Sequence, residues 1–356
     1  MTQAQLISLE KAKLALGTVD DPDLKKDLIT LNMARSIEIL PNNKVKFNLV
    51  LTTPACPLKN KIEEDCRQAL IGAGASEVEI ITTAEVRGFK GFSGKQPIDG
   101  VKNIIAISSG KGGVGKSTVT VNLACAFKAL GAKVGILDAD ITGPNIPLML
   151  GITEQPTIAE DGKKMLPNQA YGLKAISMGM IIKDDEPVVW RGPMLHSAIN
   201  QFLREVDWGD LDYLFIDLPP GTGDAQLTIS QAVPIAGAII VSTPQDVALM
   251  DSKKGLMMFK QVKVSVLGLI ENMSYFIAPD TGKRYDIFGN GGAKKVAESL
   301  GFDCLGQIPL QINVREGGDS GKPIVEVEPE SEISQIFLEM SRKIAAKLSI
   351  QAAQEI

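Results

Sequence analysis

A glycine-rich segment of the chain reads SSGKGGVGKST and follows an apolar run directly. Gly110, Gly115, Lys116 and Ser117 fit G-x-x-x-x-G-K-[ST], the P-loop that binds nucleotide phosphates. Gly110, Gly112 and Gly115 also fit G-x-G-x-x-G, the fingerprint of dinucleotide-binding folds. Both motifs require a strand before the glycines and a helix after them. The segment therefore predicts an α/β fold with a phosphate at a helix N-terminus.

The two residues after the last glycine separate these interpretations. Lys116 offers a positive charge for the β- and γ-phosphates, and Ser117 offers a hydroxyl for Mg²⁺; a dinucleotide site needs neither. A second apolar run ends in Asp217, where P-loop enzymes carry a carboxylate that organises the metal. The pattern favours a nucleotide hydrolase over a dinucleotide-dependent redox enzyme.

Two more aspartates, Asp138 and Asp140, follow another apolar run in the segment GILDAD. Ligands of doubly wound sheets lie beyond the carboxyl ends of the strands, so we expect these side chains near the phosphates. Asp138 alone is ambiguous, because an acid about 20 residues after a dinucleotide fingerprint would contact ribose. Asp217 favours the interpretation as a nucleotide hydrolase over that as a dinucleotide-binding enzyme.

The chain is predicted to contain two domains. Residues 1–86 combine helical spacing with alternating strand patterns, which predicts a small α+β domain. Residues 87–100, rich in glycine, are predicted to be a linker. Residues 101–356 alternate continuous apolar runs with helical stretches. That alternation predicts a doubly wound parallel sheet with helices on both faces.

Composition narrows the class of protein. The net charge is −5 over 356 residues, and no basic run suggests a nucleic-acid partner. The most apolar stretch, AVPIAGAIIV, is shorter than the ~20 residues of a membrane span. The N-terminal segment has helical spacing and does not resemble a signal peptide. Four cysteines without a close pair are typical of a reducing compartment, so we expect a cytoplasmic protein with no nucleic-acid or membrane partner.

Lys111 lies inside the loop, where the P-loop pattern does not require it. With this lysine, KGGVGKST resembles the deviant P-loop of the MinD/ParA/nitrogenase-iron-protein class of dimeric ATPases. LDADITGPNIPLMLG, VVWRGPMLHSAINQFL, DLPPGTGD, STPQDVALMDSKKGL and ENMSY resemble the Mrp/ApbC family of iron–sulfur cluster carrier ATPases. Residues 1–86, with TVDDPDLKKDLITLNMA and TTPACP, resemble the small MIP-like domain that accompanies these ATPases. The resemblance covers nearly the whole chain.

The resemblance implies a homodimer that binds ATP and Mg²⁺, hydrolyses ATP and passes iron–sulfur clusters to apoprotein clients. It implies that Lys111 reaches across the dimer to the partner's nucleotide. Lys116 would contact the phosphates and Ser117 would bind Mg²⁺. Asp140 would orient or deprotonate the attacking water.

The same resemblance assigns the remaining residues of the site. Asp138 and Asp217 would support the water shell of the metal. Asn272 would hydrogen-bond the adenine, and the backbone around Pro309 would close over the base. The residues expected at the nucleotide are Gly110, Lys111, Gly112, Gly113, Val114, Gly115, Lys116, Ser117, Thr118, Asn272 and Pro309.

The sequence departs from the family after ENMSYF. Family carriers have a C-P-x-C element there, whose thiolates from two subunits would bridge one cluster. This chain reads IAPDTG and places Ala278 and Thr281 at the cysteine positions. Neither side chain can ligate iron as a thiolate.

The four cysteines differ in their sequence settings. Cys56, in TTPACP, lies in a turn-like segment and is the candidate ligand for an iron–sulfur cluster. Cys66 lies ten residues later at helical spacing, either as a helper or as an ordinary helix residue. Cys125 and Cys304 are expected to be apolar core residues.

Two functions remain open from the sequence. One is an ATP-gated carrier that transfers iron–sulfur clusters or metal. The other is a MinD/ParA-like switch with a positioning or scaffold role and no cluster. The missing cysteine pair favours the switch, whereas the family motifs, the small N-terminal domain and the absence of a basic tail favour the carrier. We therefore predict the carrier and keep the switch as the alternative.

Overall fold

The computed structural model describes residues 6–89, 91, 95–141, 143–160, 162–180 and 192–354. Part of the predicted linker, residues 90 and 92–94, and the start of VVWRGPM, residues 188–191, lie outside the described residues. The chain divides into two compact units. One comprises Met1–Arg87 with Ala345–Ile356, and the other comprises Gly88–Ile344.

The first unit is built on a three-stranded sheet. In chain order its first elements are α1 (Leu9–Leu16), β1 (Asp20–Asp21), β2 (Lys26–Asp27), β3 (Ala34–Leu40), β4 (Lys44–Leu51), α2 (Lys59–Gly72) and β5 (Glu77–Ala84). β3 and β4 are antiparallel, and β4 and β5 are parallel. Alternate residues of β4 are buried, because one face of the sheet covers the core. The predicted small α+β fold is confirmed.

The second unit contains an eight-stranded sheet flanked by helices. The strands of this unit, which also include the separate pairs β8–β9 and β15–β16, are β6 (Val101–Ser109), β7 (Val134–Asp138), β8 (Thr157–Ile158), β9 (Met165–Leu166), β10 (Asn168–Ala170), β11 (Leu173–Ser177), β12 (Leu211–Asp217), β13 (Ile235–Ser242), β14 (Val266–Glu271), β15 (Phe276–Ile277), β16 (Arg284–Tyr285) and β17 (Cys304–Gln307). The helices are α3 (Lys116–Ala129), α4 (Ile146–Met149), α5 (Gly192–Arg204), α6 (Asp224–Ala232), α7 (Asp246–Gln261), α8 (Gly292–Leu300), α9 (Ile312–Asp319), α10 (Ile324–Val327) and α11 (Glu332–Gln354), whose last residues belong to the first unit.

The large sheet has the strand order β10-β11-β7-β12-β6-β13-β14-β17. Only its edge pair, β10 and β11, is antiparallel. Every residue of β7, β12 and β13 is buried, as expected for parallel strands covered on both faces. The predicted doubly wound α/β fold is confirmed. Among the described residues, no helix has the length and apolar character needed to cross a membrane.

Helix α3 starts directly after the glycine-rich loop, as predicted, and ends at Ala129. Its apolar side chains are buried, and Phe127 packs edge-on against Tyr213 and Phe215 of β12, with ring centroids 4.7 and 5.3 Å apart. Aromatic pairs in this geometry add about 0.5–1.5 kcal/mol beyond burial of their area. The packing fixes the N-terminus of α3 at the carboxyl edge of the sheet.

Strand register brings the acidic strand ends together at that edge. Asp138, the last residue of β7, pairs with Asp217, the last residue of β12. On the other side of β6, Glu271 at the end of β14 pairs with Ser242 of β13 and Gln307 of β17. The carboxyl ends of these parallel strands therefore lie at the same edge of the sheet as the glycine-rich loop, which follows β6.

Candidate nucleotide site

The glycine-rich loop between β6 and α3 has a backbone that side chains would disrupt. Gly113 and Gly115 have φ angles of 80° and 81°, a region that L-residues avoid. A Cβ atom on Gly110 would collide with the backbone of Asp251 in α7, and one on Gly115 with the side-chain amide of Asn272. Glycine is therefore required at Gly110 and Gly115 by neighbouring protein atoms, whereas a Cβ atom on Gly113 would meet nothing within 4 Å.

Lys116 is buried between carboxylates, with 6% of its surface exposed. Its Nζ lies 2.6 Å from Oδ2 of Asp217 and 3.3 Å from Oδ2 of Asp140. The same Nζ lies 3.3 Å from Oγ of Ser117. A phosphate that enters the loop must therefore compete with two carboxylates for this cation.

Asp217 is fully buried and accepts hydrogen bonds from three side chains of α3. Besides Lys116, Oγ of Ser117 donates to Oδ2 at 2.6 Å, and Oγ1 of Thr120 lies 2.6 Å from Oδ1. Thr120 was not predicted from the sequence. It lies one helical turn after Lys116, and this i, i+4 spacing is the signal that could have identified it.

Asp138 lies behind Asp140. It is fully buried and accepts hydrogen bonds from Oγ of Ser177 at 2.9 Å and from the backbone N–H groups of Asp140 at 3.1 Å and Ile146 at 3.3 Å. Burial, and then the nearby charge of Asp217, raise the pKa of Asp138 to about 7. Its contacts hold the turn that carries Asp140 toward Lys116.

The two predicted base-binding segments follow two neighbouring strands, β14 and β17. The backbone N–H of Asn272 donates to Ser242 at 2.8 Å, and Nδ2 donates to the carbonyl of Val114 in the loop at 2.8 Å. Pro309 is buried. The backbone N–H of Ile308 donates to Glu271, the last residue of β14, at 2.8 Å, and that of Leu310 donates to Tyr275, in the segment after β14, at 2.7 Å. The structure brings both segments to the same edge of the sheet as the loop.

Three other predicted residues are at the rim of the site. Lys111 and Gly112 are exposed, and Gly112 lies nearest to Pro220 of the DLPPGTGD segment. Thr118 is half-buried, and its carbonyl accepts a hydrogen bond from Asn122 at 2.9 Å. The ammonium of Lys111 therefore faces solvent, unlike that of Lys116.

The residues present fit a nucleotide with Mg²⁺. The hydroxyl of Ser117 and the carboxylate of Asp217 are hard oxygen donors, which Mg²⁺ prefers, and they lie 2.6 Å apart. The loop would cradle the phosphates with backbone N–H groups at the positive end of the α3 dipole.

The structure separates the four thiols. Cys56 is half-buried in the turn before α2, and burial raises its pKa although the backbone amides of Leu58 and Lys59 oppose that rise. Cys66 is a core residue whose pKa burial raises to about 12. The buried position of Cys125 on α3 is confirmed, whereas Cys304 begins β17 and is only half-buried.

The residues at the family's cysteine positions lie on the short β15–β16 hairpin. Ala278 is half-buried and Thr281 is exposed. In the described part of the chain, no group of three or more His, Cys, Asp or Glu side chains has the arrangement of a metal site.

A family model described as NUBPL iron-transfer P-loop NTPase matches residues 100–345. The chain belongs to this P-loop NTPase family. A second model, described as iron–sulfur cluster assembly protein, matches residues 10–81. Both predicted resemblances are confirmed, that of the ATPase part to the P-loop carrier family and that of the N-terminal part to the small domain that accompanies it.

Two relatives in sequence cover almost the whole length of this P-loop NTPase, and a solved structure covers two thirds of it. The iron–sulfur cluster carrier protein of Synechocystis is 51% identical over 352 residues, 98% of this chain and 99% of that protein. The iron–sulfur cluster carrier protein of Escherichia coli K12 is 45% identical over 334 residues, 94% of this chain and 90% of that protein. A solved nucleotide-binding protein from Archaeoglobus fulgidus in complex with ADP is 39% identical, with a TM-score of 0.58, and covers 67% of this chain and 93% of that chain.

Proposed function

We propose that this P-loop NTPase is a cytoplasmic, homodimeric carrier that hydrolyses ATP, binds iron–sulfur clusters and transfers them to apoproteins. The observation that carries the proposal is the buried group of Lys116, Ser117 and Asp217 at the N-terminus of α3. Relatives at 45–51% identity are named iron–sulfur cluster carrier proteins. The similar protein from Archaeoglobus fulgidus is in complex with ADP, which supports an adenine nucleotide.

The side chains of the site have separate tasks in hydrolysis. Lys116 would turn from the carboxylates to the phosphates, Ser117 would hold Mg²⁺, and Asp217 would support the water shell of the metal. When bound, Mg²⁺ supplies positive charge that neutralises the phosphate oxygens. Asp140 lies beside Lys116 and orients the attacking water or accepts its proton. Asp138 keeps Asp140 in place through its backbone N–H.

Exposure of Lys111 supports a role outside its own subunit. A cation inside a phosphate-binding loop is well placed to stabilise charge on a transferring phosphoryl group, as an arginine finger does in other P-loop enzymes. In the proposed homodimer Lys111 contacts the nucleotide of the partner. ATP binding would thereby favour association of the two subunits.

The cluster is cargo, and this chain holds it differently from carriers with the C-P-x-C pair. An iron–sulfur cluster is usually held by four thiolates. Cys66 and Cys125 are buried. In the first unit this leaves the half-buried Cys56, which we propose as a ligand of the cluster. The remaining ligands come from the second subunit or from an external thiol. We therefore expect about one oxygen-sensitive cluster per dimer.

Anaerobic reconstitution with iron and sulfide, followed by iron and sulfide counting and absorption spectroscopy, tests the cargo. Wild type and Cys304→Ser should take up the cluster, and Cys56→Ser should lose it while ATP hydrolysis survives. Cys304 is the matched control because it is also half-buried and lies in the other unit. Equal cluster content in wild type and Cys56→Ser would eliminate Cys56 as a required ligand.

Ala278 and Thr281 favour one alternative, a MinD/ParA-like switch that positions partners and binds no cluster. The same reconstitution separates the two functions. Absence of cluster from wild type, together with intact ATP hydrolysis, would support the switch.

A further inference from the structure

A fully buried carboxylate lies at the end of β14, directly before Asn272. Glu271 accepts hydrogen bonds from Oγ of Ser274 at 2.6 Å, from Nε2 of Gln307 at 2.8 Å and from the backbone N–H of Ala293 at 2.7 Å. These lengths are typical of hydrogen bonds to a charged carboxylate, which are roughly twice as strong as neutral ones. We name Glu271 and these three donors the Glu271 cluster.

The three donors of the Glu271 cluster come from different segments. Ser274 belongs to the turn that carries Asn272. Gln307 ends β17 and leads to Pro309. The third donor lies in the first turn of α8, where the positive end of the helix dipole favours a negative charge. One carboxylate therefore ties together the two segments of the proposed base site and the helix behind them.

The chain between two of these donors leaves the sheet. This segment begins at Ser274, includes the β15–β16 hairpin and ends at Ala293. Its first and last residues both donate a hydrogen bond to the side chain of Glu271. The backbone adds to the connection, because Ile308 donates to the carbonyl of Glu271 at 2.8 Å and Ser274 donates to Ile308 at 2.9 Å.

We infer that Glu271 is a positioning residue for recognition of the nucleotide base, an inference that rests on the proposed ATP site. Asn272 can meet the adenine only if its turn and the backbone around Pro309 keep a fixed separation. The Glu271 cluster sets that separation from behind the site. The side-chain hydrogen bonds of Glu271 go to Ser274, Gln307 and Ala293, whereas the loop that would bind the phosphates is contacted one residue further on, by Nδ2 of Asn272. The larger effect therefore falls on binding of the base.

The test compares a ligand that has a base with one that lacks it. Calorimetry measures the affinity of wild type and variants for MgADP and for Mg-tripolyphosphate. Glu271→Ala should weaken MgADP binding by about tenfold and change tripolyphosphate binding by less than about twofold, because it removes three hydrogen bonds to a charged group. Glu271→Gln should fall between wild type and Glu271→Ala, since its amide oxygen still accepts some of these bonds.

Two further variants keep the test decisive. Ser274→Ala removes a single hydroxyl and can be measured even if Glu271→Ala does not fold. It should weaken binding of MgADP by about threefold and leave binding of tripolyphosphate unchanged. Asp212→Asn is the matched control, since Asp212 is a buried carboxylate of β12 bonded to Lys102 and to the backbone of Lys133 at 2.8 and 2.9 Å, away from the base segments. It should change neither affinity.

If a variant loses as much affinity for tripolyphosphate as for MgADP, only the positioning role is overturned. The same holds if Glu271→Ala and Ser274→Ala both keep the MgADP affinity of wild type. Wild type that binds tripolyphosphate but not MgADP would overturn the adenine site itself, and the inference with it. The wild-type measurement therefore separates failure of the proposed function from failure of the inference.

Discussion

Two lysines of the same loop lie in opposite environments. Lys116 is enclosed by Asp140 and Asp217, whereas Lys111 faces solvent. Lys111→Ala should therefore keep the ATP affinity and the free energy of unfolding of wild type. It should lower the rate of hydrolysis by a factor on the order of 10³, because the cation that it removes would act only on the phosphoryl group during transfer. Lys116→Ala should abolish nucleotide binding and cost about 3–5 kcal/mol of stability, because it leaves buried carboxylates without their cation.

ATP titration, single-turnover hydrolysis and urea unfolding measure these effects. Lys295→Ala is a control for loss of an exposed lysine elsewhere in the unit. Light scattering should show ATP-dependent association of wild type and Lys295→Ala but not of Lys111→Ala. Hydrolysis at the wild-type rate by Lys111→Ala would remove the cross-subunit role.

The raised pKa of Asp138, about 7, makes a prediction about stability and pH. A carboxyl group whose pKa is higher in the folded state than its ordinary value of 3.8 binds its proton more tightly when folded. The free energy of unfolding therefore falls as the pH rises from about 4 to about 7, by about 1.4 kcal/mol for each unit of pKa difference. Asp138→Asn cannot ionise and should lack this part of the fall. Urea unfolding of both nucleotide-free proteins across this range would show identical profiles if the prediction is wrong.

At the scale of elements, the glycine-rich loop allows a matched pair of substitutions. Gly113 and Gly115 have nearly the same positive φ, 80° and 81°, so alanine at either position costs about 1–2 kcal/mol in backbone strain. A side chain on Gly113 meets nothing within 4 Å, whereas one on Gly115 displaces the amide of Asn272. Gly115→Ala should therefore weaken MgADP binding about tenfold more than Gly113→Ala does. Equal affinities of the two variants, measured by calorimetry, would contradict the contact between loop and base site.

The elements most visible in the sequence were those with local signals. The apolar runs of β6, β7, β12, β13 and β14 and the glycines before α3 each carry their pattern within a few residues. The positions of Asp138 and Asp217 followed from the rule that ligands lie at the carboxyl ends of parallel strands. These predictions needed no knowledge of strand order.

Other contacts of the site depend on which strands become neighbours. Ser177 reaches Asp138 because β11 pairs with β7, and Gln307 reaches Glu271 because β17 pairs with β14. Chain order does not give these pairings, since neither pair is consecutive in sequence. The antiparallel edge strand β10 was also not predicted, because it is only three residues long.

At the scale of the whole molecule, the thiols should differ in reactivity. Cys66, with a pKa of about 12, and the buried Cys125 form little thiolate and are closed to reagents. Iodoacetamide should therefore modify the native protein at Cys56 and Cys304, slowly because burial raises both pKa values, and spare the other two. Peptide mass spectrometry measures the modification, and unfolding in urea should expose all four thiols. Early modification of Cys66 in the native state would contradict its place in the core.

Cluster transfer tests the carrier and its ATPase together. Wild type and Lys111→Ala are reconstituted anaerobically and mixed with the same apo form of an iron–sulfur protein, with and without MgATP. The rate at which the acceptor gains its cluster is followed by absorption spectroscopy. MgATP should change the transfer rate of wild type and leave that of Lys111→Ala unchanged. Failure of wild type to take up a cluster, or a transfer rate that MgATP does not alter, would contradict an ATP-gated carrier.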